Sequence, residues 1–252
     1  MRIGRPLLLV VAAASVMVAA GCGGRSDHST EIVVFAAASL TDAFSDLGAV
    51  FTEIDPDTSV TLNAAASSEL VAQILDGAPA DVFASADLAT MTRLIDAGAH
   101  ATDPVVFAHN DSMIVVAAGN PLGITAVDDL VNDDLVLVVC TPEAPCGRYA
   151  AGIFDRVGIA PTPDSYEANP RAVLNKVALG EADAGIVYTT DVRAAGDAVT
   201  GVAIPDDMNI VAEYPIAVTA EAPDPAGARA FVDFVLSPAG QDILAEHGFT
   251  SP

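Results

Sequence analysis

Apolar positions along the chain alternate between short unbroken runs and stretches with three-and-four spacing. Ile32-Val33-Val34-Phe35-Ala36 is a run of buried-strand length, and from Ser39 to Glu53 the side chains of Leu40, Ala43, Phe44, Leu47, Val50 and Phe51 recur at helical spacing. The same strand-then-helix succession follows at 59–63 and 69–76, and again at 81–84 and 88–97. Three such units in close succession predict a parallel sheet with right-handed crossovers. A second series begins at Ser112-Met113-Ile114-Val115-Val116-Ala117 and continues through the run 135–139, helical stretches at 147–157 and 171–179, and Ala184-Gly185-Ile186-Val187. The chain then returns to helix at 225–236 and 238–247, each with Pro in its first turn, where a missing N–H costs nothing.

His109-Asn110-Asp111 lies between the two series, and 210–218, containing Tyr214-Pro215, follows the second. Both read as places where the chain crosses between two lobes. The expected fold class is α/β, with lobe 1 formed by 31–108 and 217–252 and lobe 2 by 109–216. Each lobe is expected to be a parallel-sheet unit, with two hinge crossings between them. Carboxyl ends of strands and N-termini of helices then face a cleft between the lobes.

The 252 residues are 52% hydrophobic and 17% charged, which supplies a buried core and excludes a disordered chain. Ten basic against 34 acidic residues give a net charge of −24, a field that repels nucleic acid. The N-terminus explains two of the few bases. Arg2 and Arg5 precede an apolar stretch from Leu7 to Val18, and Ala19-Ala20-Gly21-Cys22 sets small residues before a cysteine. Residues 1–21 read as a lipoprotein export signal with Cys22 as the lipidation site, and 22–30 as a polar, flexible tether. The competing reading of the uncharged stretch is a retained membrane anchor. Cleavage leaves eight bases against all 34 acids on a domain held at the extracytoplasmic membrane face by lipid. In an oxidising compartment the remaining cysteines, Cys140 and Cys146, are natural disulfide partners; two independently packed thiols are the alternative.

Catalytic and metal-binding signatures do not occur. His28, His100, His109 and His247 are scattered, no pair stands at HExxH or CxxC spacing, and no GxSxG elbow, phosphate loop or dinucleotide turn follows a strand. An enzyme, a cofactor and a direct metal-cation site are therefore not expected. The strand ends offer something else. Strand one runs into Ala36-Ala37-Ala38-Ser39, with Asp42 three residues on in a capping-box-like pair, and strand two into Ala64-Ala65-Ala66-Ser67. Two serines at helix starts, after alanines that leave room for a ligand, combine hydroxyl donors with free backbone N–H groups and helix dipoles. Each serine could instead merely cap its own helix. Tyr188 closes a buried strand and could be a packed core tyrosine, while Arg148 and Arg171 read as solvated helix faces.

The segments VVFAAASLTDAF (33–44), ASSELVAQI (66–74), GAPADVFASAD (77–87), PCGRYA (145–150), LGEADAGIVYTTD (179–191) and FVDFVLSPAGQDILAEHGF (231–249) together resemble the molybdate-binding proteins of bacterial ABC importers. The resemblance spans nearly all of 31–252. It implies a two-lobed periplasmic binding fold of type II that closes as a monomer on molybdate or tungstate and delivers it to a membrane permease. By motif, the oxyanion-binding positions fall on Ser39, Ser67, the backbone of Cys146, and Tyr188. A further family backbone donor falls on Pro170, which has no N–H. The N–H of Arg171 or the side chain of Asn169 then substitutes, or the site has one donor fewer. Neutral donors alone can hold a dianion from which water is excluded, and they reject a ligand that must itself donate, as protonated phosphate must. Sulfate, fully ionised and smaller, is separated only by cavity size, so another tetrahedral oxyanion, or a surface lipoprotein without transport function, is the alternative.

Overall fold

The computed structural model describes residues 30–252. The leader, Cys22 and 22–29 of the tether lie outside the described residues. Nine strands and eight α-helices follow in chain order: β1 (Thr30–Ala37), α1 (Thr41–Ile54), β2 (Thr58–Ala65), α2 (Ser67–Leu75), β3 (Val82–Ala84), α3 (Leu88–Asp96), β4 (Val105–Ala117), β5 (Leu137–Cys140), α4 (Pro145–Val157), β6 (Ser165–Glu167), α5 (Pro170–Ala178), β7 (Ala184–Tyr188), α6 (Thr189–Ala195), β8 (Val199–Ala203), β9 (Val211–Val218), α7 (Pro225–Leu236) and α8 (Pro238–Glu246). No helix among them is long and apolar enough to cross a membrane.

The strands pair in the order β2-β1-β3-β9-β4-β7-β5-β6, with β8 on the side of β4. The expected parallel arrangement holds for β2-β1-β3 and for β6-β5-β7, whose strands are linked by helical crossovers. It does not extend to β9, β4 and β8, which join antiparallel. The reason is connectivity. β4 and β9 are the two chain crossings, and with no helix to turn them back onto one sheet they run past each other as a ribbon, pairing Ala108 with Tyr214, His109 with Glu213 and Asn110 with Ala212. The result is the mixed, curled α/β sheet of a type II periplasmic binding fold, with the crossings hydrogen-bonded to one another.

Helix packing follows the sequence pattern. α1 buries Ala43, Phe44, Leu47 and Phe51 against the sheet, and Gly48 lets it approach closely, because a Cβ there would stand 3.2 Å from Val60. Phe107, Phe44, Phe231 and Phe51 then pack edge to face in a chain, with centroids 5.7, 6.2 and 5.4 Å apart. Burying each such ring contributes about 1.5–3 kcal/mol. The β5–β7 half has its own core, including Ile114, Leu137, Ile153 and Ile186. α7 stops and α8 starts at Ser237: its hydroxyl donates to Phe234 O and accepts from Gly240 N–H, and Pro238 occupies the first position of the next helix.

Candidate functional site

The carboxyl ends of β1, β2, β5, β6 and β7 converge on one small cavity between the two sheet halves. Ser39, Ser67, Cys146, Asn169, Pro170 and Tyr188 line it, with methyl walls from Ala37, Ala38, Ala65, Ala66, Ala86 and Ala144. These positions are separated by up to 149 residues in sequence, and the alternation of strands and helices alone brings them together. A larger open concavity at 122–135 is edged by Asp128, Asp129 and Asp134 and has the wrong sign for an anion.

Neither serine caps its helix, which corrects the capping-box expectation. After Ala37 the chain tightens into a 3₁₀ turn, Ala38–Leu40, and the N-cap position of α1 is Leu40. Ser39, buried in that turn, directs its hydroxyl inward to lie 2.9 Å from the phenol oxygen of Tyr214. Ser67 is the first residue of α2, after an Ala66 cap, and its oxygen accepts the N–H of Ala86 at 3.1 Å. Its own proton has no protein acceptor among the described residues and is free for the cavity.

On the facing side α4 and α5 start alike. Pro145 opens α4 without an N–H, and Gly147 and Arg148 both donate to Ala144 O, so the N–H of Cys146 is left without a protein partner. The disulfide from Cys140 to Cys146 joins the end of β5 to this turn, with Cα atoms 5.7 Å apart. The approach is close enough to require Gly147, where a Cβ would fall 2.0 Å from Thr141 O. In α5, Pro170 again opens the helix and Asn169 caps it, its oxygen accepting from Ala172 N–H at 3.0 Å. The Asn169 amide nitrogen and the Arg171 backbone N–H both remain without a protein acceptor, so both substitutes for the N–H that Pro170 lacks are present; of the two residues, only Asn169 lines the cavity.

Tyr188 is 1% exposed, its ring stacks edge-on with Tyr149 and Tyr214 at 6.3 and 5.9 Å, and its hydroxyl has no hydrogen-bond partner. Burial, reinforced by the neighbouring Tyr214, holds its pKa well above the ordinary phenol value, so it stays a protonated donor. A buried phenol facing a cavity with nothing to donate to is a ligand-shaped gap in the hydrogen bonding. Every polar group identified on this surface can offer a hydrogen, and none is an ionised side chain.

Residues 32–250 match the family described as bacterial extracellular solute-binding protein. The chain belongs to that family. The molybdate-binding protein ModA of Mycobacterium tuberculosis is 44% identical to it over 96% of this chain and 93% of that protein. Among solved structures, the periplasmic molybdate-binding protein of Azotobacter vinelandii is similar at 20% identity and TM-score 0.75, covering 88% of this chain and 99% of that one. The sulfate-binding protein SubI of Mycobacterium tuberculosis is similar at 22% identity and TM-score 0.81, covering 88% and 87%. Both likenesses show the fold.

Two arginines expected on solvated helix faces bridge the two halves instead. Arg148, in the first turn of α4, donates through Nε to Asp87 at 2.7 Å and through Nη2 to Thr90 at 2.7 Å; Asp87 caps α3 of the other half. Arg171 reaches from α5 to Asp42 in the first turn of α1 at 2.6 Å, while its Nε lies 2.8 Å from Asp191 at an angle too poor for a hydrogen bond. Asp191 is fully buried, and that burial raises its pKa to about 6, against the opposing pull of Arg171 and of the Tyr188 N–H that it accepts. These partners went unread in the sequence. The signal was slight: Asp87 sits in the quoted GAPADVFASAD stretch and Asp191 ends GIVYTTD, but nothing local marks either as facing an arginine.

Proposed function

We propose that this solute-binding protein captures molybdate or tungstate in the interlobe cavity through neutral hydrogen-bond donors and delivers it to the permease of an ABC importer. The observation that carries the reading is the buried, unpartnered Tyr188 hydroxyl in a cavity whose other polar groups are the hydroxyls of Ser39 and Ser67, the Cys146 N–H and the Asn169 amide. Such a lining offers donors to a fully ionised tetrahedral oxyanion and no carboxylate to take the proton of a protonated one. The identity to the mycobacterial molybdate-binding protein agrees with it. Lobe 1 comprises 31–108 and 217–252 and lobe 2 comprises 109–216; the protein acts as a monomer, tethered through lipid on Cys22 after removal of 1–21, with the Cys140–Cys146 bridge stiffening the ligand turn.

Thermal unfolding of the mature domain with molybdate, tungstate, sulfate and phosphate tests the reading. A ligand at a thousandfold excess over its Kd stabilises the folded state by about 4 kcal/mol, or roughly 8–16 °C in Tm for a chain of this size. Shifts of that order are expected for molybdate and tungstate. A larger shift with sulfate would make it a sulfate binder, and no shift with any of the four would leave the surface-lipoprotein alternative. Mass spectrometry of the membrane-extracted protein checks the lipid on Cys22.

A further inference from the structure

The two serines of the cavity are held as donors by different means. Ser67 accepts a backbone N–H, which only a proline at position 86 would remove. Ser39 sits at the end of a side-chain relay. The amide nitrogen of Asn110 lies 2.8 Å from the Thr190 hydroxyl and 3.3 Å from the Tyr214 phenol oxygen, and that phenol oxygen is 2.9 Å from the Ser39 hydroxyl. All three relay residues are buried, with exposures of 2%, 0% and 3% for Asn110, Tyr214 and Ser39. An amide nitrogen can only donate, so the phenol accepts from Asn110. The phenol's single proton then has one acceptor within reach among the described residues, the Ser39 oxygen. Were Ser39 to donate to Tyr214 instead, the phenol would hold a buried proton with nowhere to place it. Ser39, supplied from behind, turns its own proton to the cavity. The Asn110 carbonyl oxygen is buried without a partner, the cost of keeping the amide in this orientation.

We infer that Asn110 and Tyr214 are positioning residues that orient the Ser39 hydroxyl as a donor to the bound oxyanion and so help the site discriminate against ligands that carry a proton. The relay lies in the hinge, with Asn110 on β4 and Tyr214 on β9, the paired strands by which the chain passes between the halves. The orientation of Ser39 is therefore set by the ribbon and does not wait for the cleft to close. The inference rests on the oxyanion-binding reading above.

Calorimetric titration of the mature protein with molybdate, in wild type, Tyr214→Phe, Asn110→Asp and the double variant, tests it. Tyr214→Phe keeps the ring and removes only the hydroxyl, and affinity is expected to fall about tenfold, the loss of one orienting hydrogen bond. Asn110→Asp keeps the shape but replaces donor by acceptor: the phenol turns to the carboxylate, Ser39 turns to the phenol, and the loss is expected to exceed about a hundredfold. A buried carboxylate would also repel the dianion at a distance, so the double variant decides. Without the phenol the aspartate cannot reach Ser39, and the double variant should bind about tenfold tighter than Asn110→Asp alone, whereas simple repulsion leaves the two equally weak. Should Asn110→Asp not fold, Tyr214→Phe with phosphate as a displacing ligand serves: the preference for molybdate over phosphate narrows if the phenol sets polarity and is unchanged if it only packs. An Asn110→Asp affinity within twofold of wild type, no recovery in the double variant, or an unchanged preference in Tyr214→Phe overturns the relay. A wild type that binds no oxyanion overturns the functional reading together with it.

Discussion

The two sides of the cavity solve one problem with different chemistry. On the side of α1 and α2 the donors are serine hydroxyls, and a hydroxyl proton rotates, so each serine needs a second group to fix its direction: Tyr214 for Ser39 and the Ala86 N–H for Ser67. On the side of α4 and α5 the donors are the Cys146 N–H, one residue after a helix-opening proline and aimed by the helix itself, and the Asn169 amide at the cap of α5. The hydroxyl side can be erased by substitution and is visible in sequence. The Cys146 N–H of the proline side survives truncation of any side chain, and that side carries the arginines that reach back across the cleft.

The largest effects should follow from erasing the hydroxyl side. Ser39→Ala and Ser67→Ala should each cost about 1.5–3 kcal/mol of binding, roughly ten- to a hundredfold, and Tyr188→Phe a similar amount with the ring still packed. Calorimetry should find these losses while unfolding stays cooperative. Affinities within a factor of two of wild type for both serine variants would mean that the cavity is served by the proline side alone.

Next comes the arginine that anchors the proline side. Arg171→Met leaves the fully buried Asp191 without its cation, a loss of about 3 kcal/mol in folding stability, the low end for a broken buried pair because Arg171 is itself 25% exposed. Urea unfolding measures it, and a change below about 1 kcal/mol would place the anchoring elsewhere. Asp191 also makes stability depend on pH in an unusual direction. Its pKa in the folded protein is raised from 3.8 to about 6, so the folded state holds its proton more tightly than the unfolded chain. Below pH about 4 both states are protonated and the contribution is complete; it is lost as pH rises through 6. Compared with Asp191→Asn, the wild type should lose relative stability between pH 4 and 6 and change little above, which paired unfolding curves would register; a constant difference would contradict the raised pKa.

Smaller effects should come from loosening the proline side without deleting a donor. Arg148→Ala removes a bridge to Asp87 and Thr90 whose arginine end is 35% exposed, and a partly solvated bridge contributes about 1 kcal/mol, so affinity should fall up to about fivefold, mainly through faster release in stopped flow. Reduction of Cys140–Cys146 keeps the Cys146 N–H but frees the loop before it, at about 1 kcal/mol per backbone residue that must be reordered on binding. A several-fold weakening and faster amide exchange at 141–147 are expected. If reduction changes neither, the turn is held by Gly147 packing against Thr141 alone.

What the sequence determined by itself was whatever a local pattern can express. The helix 225–236 has the same limits in the structure, because Pro and three-and-four spacing mark a helix without outside help. Ser39 and Ser67 were legible as site positions because an apolar run followed by small residues marks a strand end, and strand ends in this fold meet at one place; Cys146 and Tyr188 were legible only through the resemblance carried by PCGRYA and LGEADAGIVYTTD. The tertiary structure decided the rest. β6 (Ser-Tyr-Glu) and β8 lack an apolar run long enough to register and are strands only because β5 and β4 offer edges. The first half of β4 is a strand because β9 lies beside it. Ser39 became a relay terminus instead of a cap through a partner 175 residues away, and Arg148 and Arg171 became bridges through partners 61 and 129 residues away. A hydroxyl or a guanidinium is equally content in water or against a buried partner, so only the packed chain chooses between them.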